Sequence, residues 1–160
     1  MITEHIKKNL KLFGQHRGLE IDTSDIQELD NNIILFDCIS TKICFCDYSK
    51  NNHHHISSVY DGCKIICFIS KNTRNTFIQD NIEYIHINIL KINVIDHRLV
   101  PKHEKINVQS LPKKLQPRLL PKMKTCDPVS IWLGLSKGDL VIVYRTSETM
   151  GESIVYKLVV

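Results

Sequence analysis

Two apolar runs near the end of the chain limit what it can fold into more than any other feature. They are Leu140-Val141-Ile142-Val143-Tyr144 and Ile154 to Val160. The first shows no polar alternation, and both suit strands covered on two faces rather than one. The eight residues from Thr146 to Ser153, with Gly151 near their centre, join them as an antiparallel hairpin with a longish loop. Just upstream, Asp127 is placed to accept from the free N–H groups of a first helical turn, and Pro128 fits the first helical position. Val129, Ile131, Trp132 and Leu133 give that short helix its apolar surface, and Gly134 ends it in the left-handed conformation. Lys137-Gly138-Asp139 reads as the turn into the first strand.

This stretch, Cys126 to Val160, resembles the C-terminal assembly domain of the fifth subunit shared by the eukaryotic nuclear RNA polymerases, and equally the archaeal counterpart of that subunit. The matching residues are Asp127-Pro128-Val129, Leu133-Gly134, Gly138, Arg145, Ser147-Glu148-Thr149, Gly151, Tyr156 and Leu158-Val159, in ungapped spacing. A second block, Ile92 to His103, resembles the family's segment leading from an N-terminal jaw into the assembly domain. Leu120-Pro121-Lys122-Met123 resembles the step just before Asp-Pro. The chain departs from the family at Thr146, where proline is usual, and at Glu152 and Ser153, where an arginine and an aromatic are usual. The helix between the two blocks is shortened.

The resemblance implies an α/β (α+β) fold: a shortened jaw-like α/β domain over residues 1–90, then a two-layer α/β assembly domain with a mixed sheet over residues 91–160. It implies a non-catalytic subunit of DNA-directed RNA polymerase that docks on the largest subunit, with the jaw directed toward downstream DNA. The docking residues it points to are His97, Leu99, Val100, Pro101, His103, Asp127, Pro128, Gly134, Arg145, Ser147, Glu148, Thr149, Gly151 and Tyr156. Phosphodiester chemistry and its magnesium would belong to the two largest subunits, so no cofactor, metal, membrane or small-molecule substrate is expected for this chain.

Charge is uneven along the sequence. Residues 1–96 carry ten Lys/Arg against twelve Asp/Glu, whereas residues 97–160 carry eleven against five. Between His97 and Lys124, eight cations face the single acid Glu104. Lys113, Lys114, Arg118, Lys122 and Lys124 are the candidates for contact with nucleic-acid phosphates, since each neutralised phosphate releases counterions. The plainer reading of such a run is a solvated connector. No apolar run reaches membrane-spanning length and the first residues lack a signal-peptide core, so a soluble intracellular protein is expected. Isoleucine occurs 23 times and alanine never, a bias of coding rather than folding because alanine is the best helix former. It suggests a large DNA virus or an A/T-rich parasite, hence a virion, host cytoplasm or nucleus; for a cellular protein the nucleus is expected.

In the first half, Ile2, Ile6, Leu10 and Phe13 recur at helical spacing, predicting an amphipathic helix from Thr3 to His16 closed by Gly18. Ser24 and Gln27 have capping-box spacing ahead of a helical turn over Ile26 to Leu29. Ile33 to Phe36 and Ile43 to Cys46 read as paired strands, and Cys63 to Ile69 as another. Residues 72–79 read as a weak helix. From Ile82 to Ile95 the isoleucines change frame, predicting extended structure with a bulge or break near Ile89-Leu90.

Chemistry-bearing residues are sparse. Asp37, Asp47 and Lys50 form the one set with nuclease composition, but their spacing does not match an acid and lysine borne on one strand. Cysteines 38, 44, 46, 63, 67 and 126 read as free thiols. Cys44, Cys46, Cys63 and Cys67 are the weaker alternative of a zinc site, disfavoured because they alternate with apolar residues instead of sitting in tight turns. His53-His54-His55 reads as an exposed polar loop. His97 and His103 lack a positioned nucleophile and read as hydrogen-bonding residues at a domain junction. Beside the polymerase subunit, two other readings stand: a free-standing nucleic-acid-binding protein using residues 97–124, and a diverged adaptor for another partner.

Overall fold

The computed structural model describes residues 3–22, 27–29, 33–37, 41–46, 49–60, 62–70, 77–147 and 151–160. Helices and two mixed sheets make it an α+β fold, as expected. The chain packs as two compact units, Met1–Asn93 and Val94–Val160. No helix among the described residues is long and apolar enough to cross a membrane.

The first unit opens with α1, Glu4–His16. The Thr3 hydroxyl accepts from the Ile6 N–H, and Gly18 sits beyond the last turn at φ +70°. Six strands follow: β1 (Gln27–Leu29), β2 (Ile33–Asp37), β3 (Thr41–Cys46), β4 (Lys64–Ile69), β5 (Phe77–Gln79) and β6 (Ile82–His86). Their order is β1-β2-β3-β4-β6-β5, with β3, β4 and β6 parallel in the middle and antiparallel neighbours outside. Helix α2 (Lys50–Val59) crosses from β3 to β4, the connection a parallel pair requires. The central strands are covered on both faces. Ile56 of α2 packs with Cys44, Cys46, Ile65, Cys67, Ile69, Ile82 and Tyr84 on one side. On the other, Phe13 of α1 meets Phe68 edge-on at 5.4 Å between centroids, and Phe68 stacks on Phe45.

Three expectations fail in this unit and a fourth holds in part. Residues 27–29 are a strand, because β2 offers them a ladder that outweighs local helical preference; Ser24 and Ile26 lie outside the described residues. Phe77–Gln79, within the stretch read as a weak helix, pairs with β6 as a strand; residues 72–76 lie outside the described residues. The break expected near Ile89-Leu90 is present, as a 3-10 helix over Ile87–Lys91, but extended structure already stops at His86 and does not run on to Ile95; the frame change of the isoleucines marks the end of the strand. The three histidines belong to α2 instead of a loop. His53 is buried, its Nε2 donating to the Asp80 carboxylate at 3.0 Å and its Nδ1 accepting from the Tyr84 hydroxyl at 2.6 Å. His54 is exposed and His55 half-buried.

The second unit contains β7 (Lys102–Ile106), β8 (Lys122–Met123), α3 (Pro128–Trp132), β9 (Leu140–Ser147) and β10 (Gly151–Val159). Their order is β7-β9-β10-β8, with only the β10–β8 pair parallel. Asp127 Oδ1 accepts from the Val129 N–H at 2.9 Å and Gly134 has φ +62°, so α3 starts and stops where its capping residues require. One sheet face buries Val141, Val143 and Val159 with Leu135. The other is covered at one end, where Leu140 packs with Leu111 and Leu120. Beyond Leu140 that face opens: Ile142 is half-buried and Tyr144 exposed. The expectation of cover on both faces therefore fails over half of the hairpin. The hairpin is also longer than expected, since Thr146 pairs with Glu152 and Ser147 with Gly151. Much of the predicted loop is strand.

Candidate functional site

At the open end of the second unit's sheet, exposed apolar side chains and cations converge in a concave surface. Antiparallel pairing sets Lys102 across from Tyr144, and Tyr144 across from Ile154, so one side-chain row spans three strands. The Tyr144 hydroxyl donates to Glu104 Oε2 at 2.8 Å, and Lys102 Nζ meets Glu104 Oε1 at 2.6 Å. The same ammonium lies 5.5 Å from the Tyr144 ring centroid. Each group alters the others. Hydrogen bonding to Glu104 raises the Lys102 ammonium and the Tyr144 phenol above their usual pKa ranges; Lys102 first, then Tyr144, hold the Glu104 carboxyl below its own. The triad fixes the ring's orientation.

Beside it lies a cleft of about 600 Å³ lined by Arg98, Leu99, Pro101, Lys102, Tyr144, Arg145 and Thr146. The turn before β7 shapes one wall: the His97 carbonyl accepts from Val100 N–H at 2.8 Å and its Nδ1 from Leu99 N–H at 3.3 Å. That turn leaves Leu99 75% exposed. His103, half-buried on β7, donates from Nδ1 to the Pro101 carbonyl at 2.6 Å. Burial lowers its pKa below the usual histidine value, opposed by that hydrogen bond and reinforced by Lys157. Both histidines are thus tied to their own strand and turn.

The docking residues named from the sequence fall into three groups. His97, Leu99, Val100, Pro101, His103 and Arg145 gather around the cleft and its supporting turn. Asp127, Pro128 and Gly134 shape α3. Tyr156 packs beside the cluster of Leu111, Leu120 and Leu140, while Ser147 and Gly151 face each other at the end of the hairpin ladder. Glu148 and Thr149 lie outside the described residues. Of the nucleic-acid candidates, Lys113, Lys114, Arg118, Lys122 and Lys124 are all exposed, on a segment anchored by buried Leu111 and Leu120. None forms an ion pair among the described residues. Glu104 and the hydroxyl of Tyr144 were not legible as site groups, because only the strand register brings them together.

In the first unit, Cys46 and Cys67 place their sulfurs 3.2 Å apart in the core, and Cys44 lies in the same cluster. Cys63 is half-buried and Cys126 exposed. Among the described residues no group of three or more His, Cys, Asp or Glu is arranged to hold a metal ion. Asp37 ends β2 and Lys50 opens α2; Asp47 lies outside the described residues.

Residues 92–159 match the family described as RNA polymerase Rpb5, C-terminal domain. The DNA-directed RNA polymerase subunit Rpo5 of Archaeoglobus fulgidus is 40% identical over 76 residues, covering 44% of this chain and 100% of that subunit. The chain belongs to this family. Subunit Rpo5 of Methanococcoides burtonii is 36% identical over 75 residues, 44% of this chain and 96% of that subunit. Subunit RPABC1 of DNA-directed RNA polymerases I, II and III from Caenorhabditis elegans is 38% identical over 76 residues. That match covers 44% of this chain and 36% of the nematode protein, so the chain spans about a third of the eukaryotic relative's length. All the cleft residues fall inside the family match.

Proposed function

We propose that this protein is a subunit of DNA-directed RNA polymerase without catalytic residues of its own, and that residues 91–160 form an assembly domain that docks on the largest subunit. The observation that carries the reading is the match to Rpo5 of Archaeoglobus fulgidus across that subunit's whole length. A stretch of 44% of this chain is thus similar to an archaeal polymerase subunit over that subunit's full length, which supports reading residues 91–160 as a domain of that kind. Its exposed cleft and the open half of its sheet supply the polar and apolar surface that docking needs. Residues 1–90 act as a shortened jaw supporting the polymerase's hold on downstream DNA.

The test is affinity purification of the full chain from its source cells, followed by native mass spectrometry. The expected result is one copy of the chain in a complex with the two largest polymerase subunits. Recovery of the chain alone, or with proteins that are not polymerase subunits, overturns the proposal.

The five exposed cations of residues 113–124 favour a second reading, a free-standing nucleic-acid binder. Such a protein retains strongly salt-dependent DNA affinity by itself, whereas a docked subunit binds naked DNA weakly.

A further inference from the structure

We infer that the cleft formed by Arg98, Leu99, Pro101, Tyr144 and Arg145 receives an extended protein segment carrying an acidic side chain next to aliphatic ones. The inference rests on the proposed function in taking that segment from another polymerase subunit.

Charge supplies the first argument. Lys102 is already paired with Glu104, but Arg98 and Arg145 are exposed on the same cleft and neither has an ion-pair partner among the described residues. A guanidinium presents a rigid fork of donors that fits a carboxylate with two parallel bonds. Two arginines line one concavity, and no acid of the described residues pairs with them, a charge that a partner's Asp or Glu complements.

Apolar surface supplies the second. Leu99 is 75% exposed, Ile154 54% and Tyr144 37%. Leu99 and Tyr144 line the cleft, and Ile154 continues the apolar row across the ladder. Large apolar side chains grouped inside a charged rim mark a protein-binding surface.

The same geometry disfavours nucleic acid as the occupant. Single strands bind where aromatic rings offer a free face for base stacking. Here Lys102 lies over the Tyr144 ring and the ring's hydroxyl is held by Glu104.

The experiment places p-benzoylphenylalanine at position 146, on the cleft wall, in the full chain expressed in its source cells. After irradiation the polymerase is purified and the crosslinked peptide sequenced by mass spectrometry. The expected product joins position 146 to a segment of another subunit containing Asp or Glu beside aliphatic residues. The double variant Arg98→Glu/Arg145→Glu, checked for an unchanged thermal melt, lowers the yield by about tenfold or more. Lysine in place of the captured acid restores it. A crosslink to nucleic acid, a captured segment without acidic residues, or an undiminished yield from the charge-reversed variant overturns the inference. So does the absence of any crosslink in polymerase that contains the chain, which leaves the proposed function intact. If the chain is missing from polymerase the proposed function falls, and a charge-dependent crosslink to an acidic segment of another protein still supports the cleft's chemistry.

Discussion

Arg17 and Glu83, 66 residues apart in sequence, meet in the first unit as a two-bond fork with N–O distances of 2.7 and 2.9 Å. Their side chains are 5% and 15% exposed, and the guanidinium also lies 4.4 Å from the Phe13 ring centroid. The pair ties the end of α1 to β6. Removing one member strands the other charge in a poorly hydrated place, which costs about 3–5 kcal/mol for buried pairs. Arg17→Met is expected to lower unfolding stability by that order in urea titration. Arg17→Met with Glu83→Met should recover most of it; equal losses in both variants would refute the account.

Gly14 lies in α1, where alanine ordinarily gains about 1 kcal/mol of helix stability over glycine. A Cβ there would collide with Ile21 and lie 2.9 Å from the Leu19 carbonyl oxygen, which belongs to the backbone. Overpacking of this kind costs about 1–3 kcal/mol. Gly14→Ala is therefore expected to lower the melting temperature, against the propensity scale. A higher melting temperature would show that the turn after α1 yields freely.

The lowered pKa of His103 sets a pH dependence whose sign is fixed. The unfolded chain takes up a proton near the ordinary value of about 6.5, before the folded chain does. The histidine's contribution to stability is complete above that value, declines as pH falls toward the folded pKa, and changes no further below it. Lys157 and Arg145 reinforce the shift, and Asp127 opposes it. Urea midpoints of wild type and His103→Gln, compared between about pH 7.5 and 5, should show wild type losing ground to the variant on acidification. A gap independent of pH would exclude the effect.

Thiol reactivity should separate the cysteines cleanly. Hydrogen bonding to Cys46 and then burial raise the pKa of Cys44; hydrogen bonds with Cys44 and Cys46 and then burial raise that of Cys67. Neither forms appreciable thiolate at neutral pH, and the thiolate is the reactive form. Iodoacetamide is expected to modify exposed Cys126 in the native protein and to spare Cys44, Cys46 and Cys67 until denaturant unfolds the first unit. Peptide mapping of Cys44 or Cys67 as modified at native conditions would contradict the buried cluster.

Features governed by neighbours in sequence were the legible ones. Asp127, Pro128 and Gly134 act on backbone groups within a few residues, so α3 was readable from its caps, and α1 was readable from the helical spacing of its apolar residues and from Gly18. Helix α2 had the same kind of signal: Ser49 caps it by accepting from Asn52 N–H, and Ile56 and Tyr60 follow at helical spacing. The polar run His53-His54-His55 masked that signal. Residues 27–29 depended on β2 for their structure, a partner local preference cannot supply. The site divides in the same way. Leu99, Pro101 and Arg145 were readable from family-like blocks, whereas Glu104 and Tyr144 became neighbours only through the pairing of β7 with β9.

The strand order of the second unit bears on when it can exist. Strand β10, the last of its strands to be synthesised, lies between β9 and β8, and β8 pairs with β10 alone in the sheet. Every described strand of the first unit's sheet precedes residue 87, so that sheet can close while the rest of the chain is still on the ribosome. The second must wait for residue 159. Until then Leu140, Val141 and Val143 have β7 on one side but lack β10 on the other and are open to wrong partners. Translation speed through the final hairpin should thus affect the yield of assembly-competent protein without any change in the finished fold.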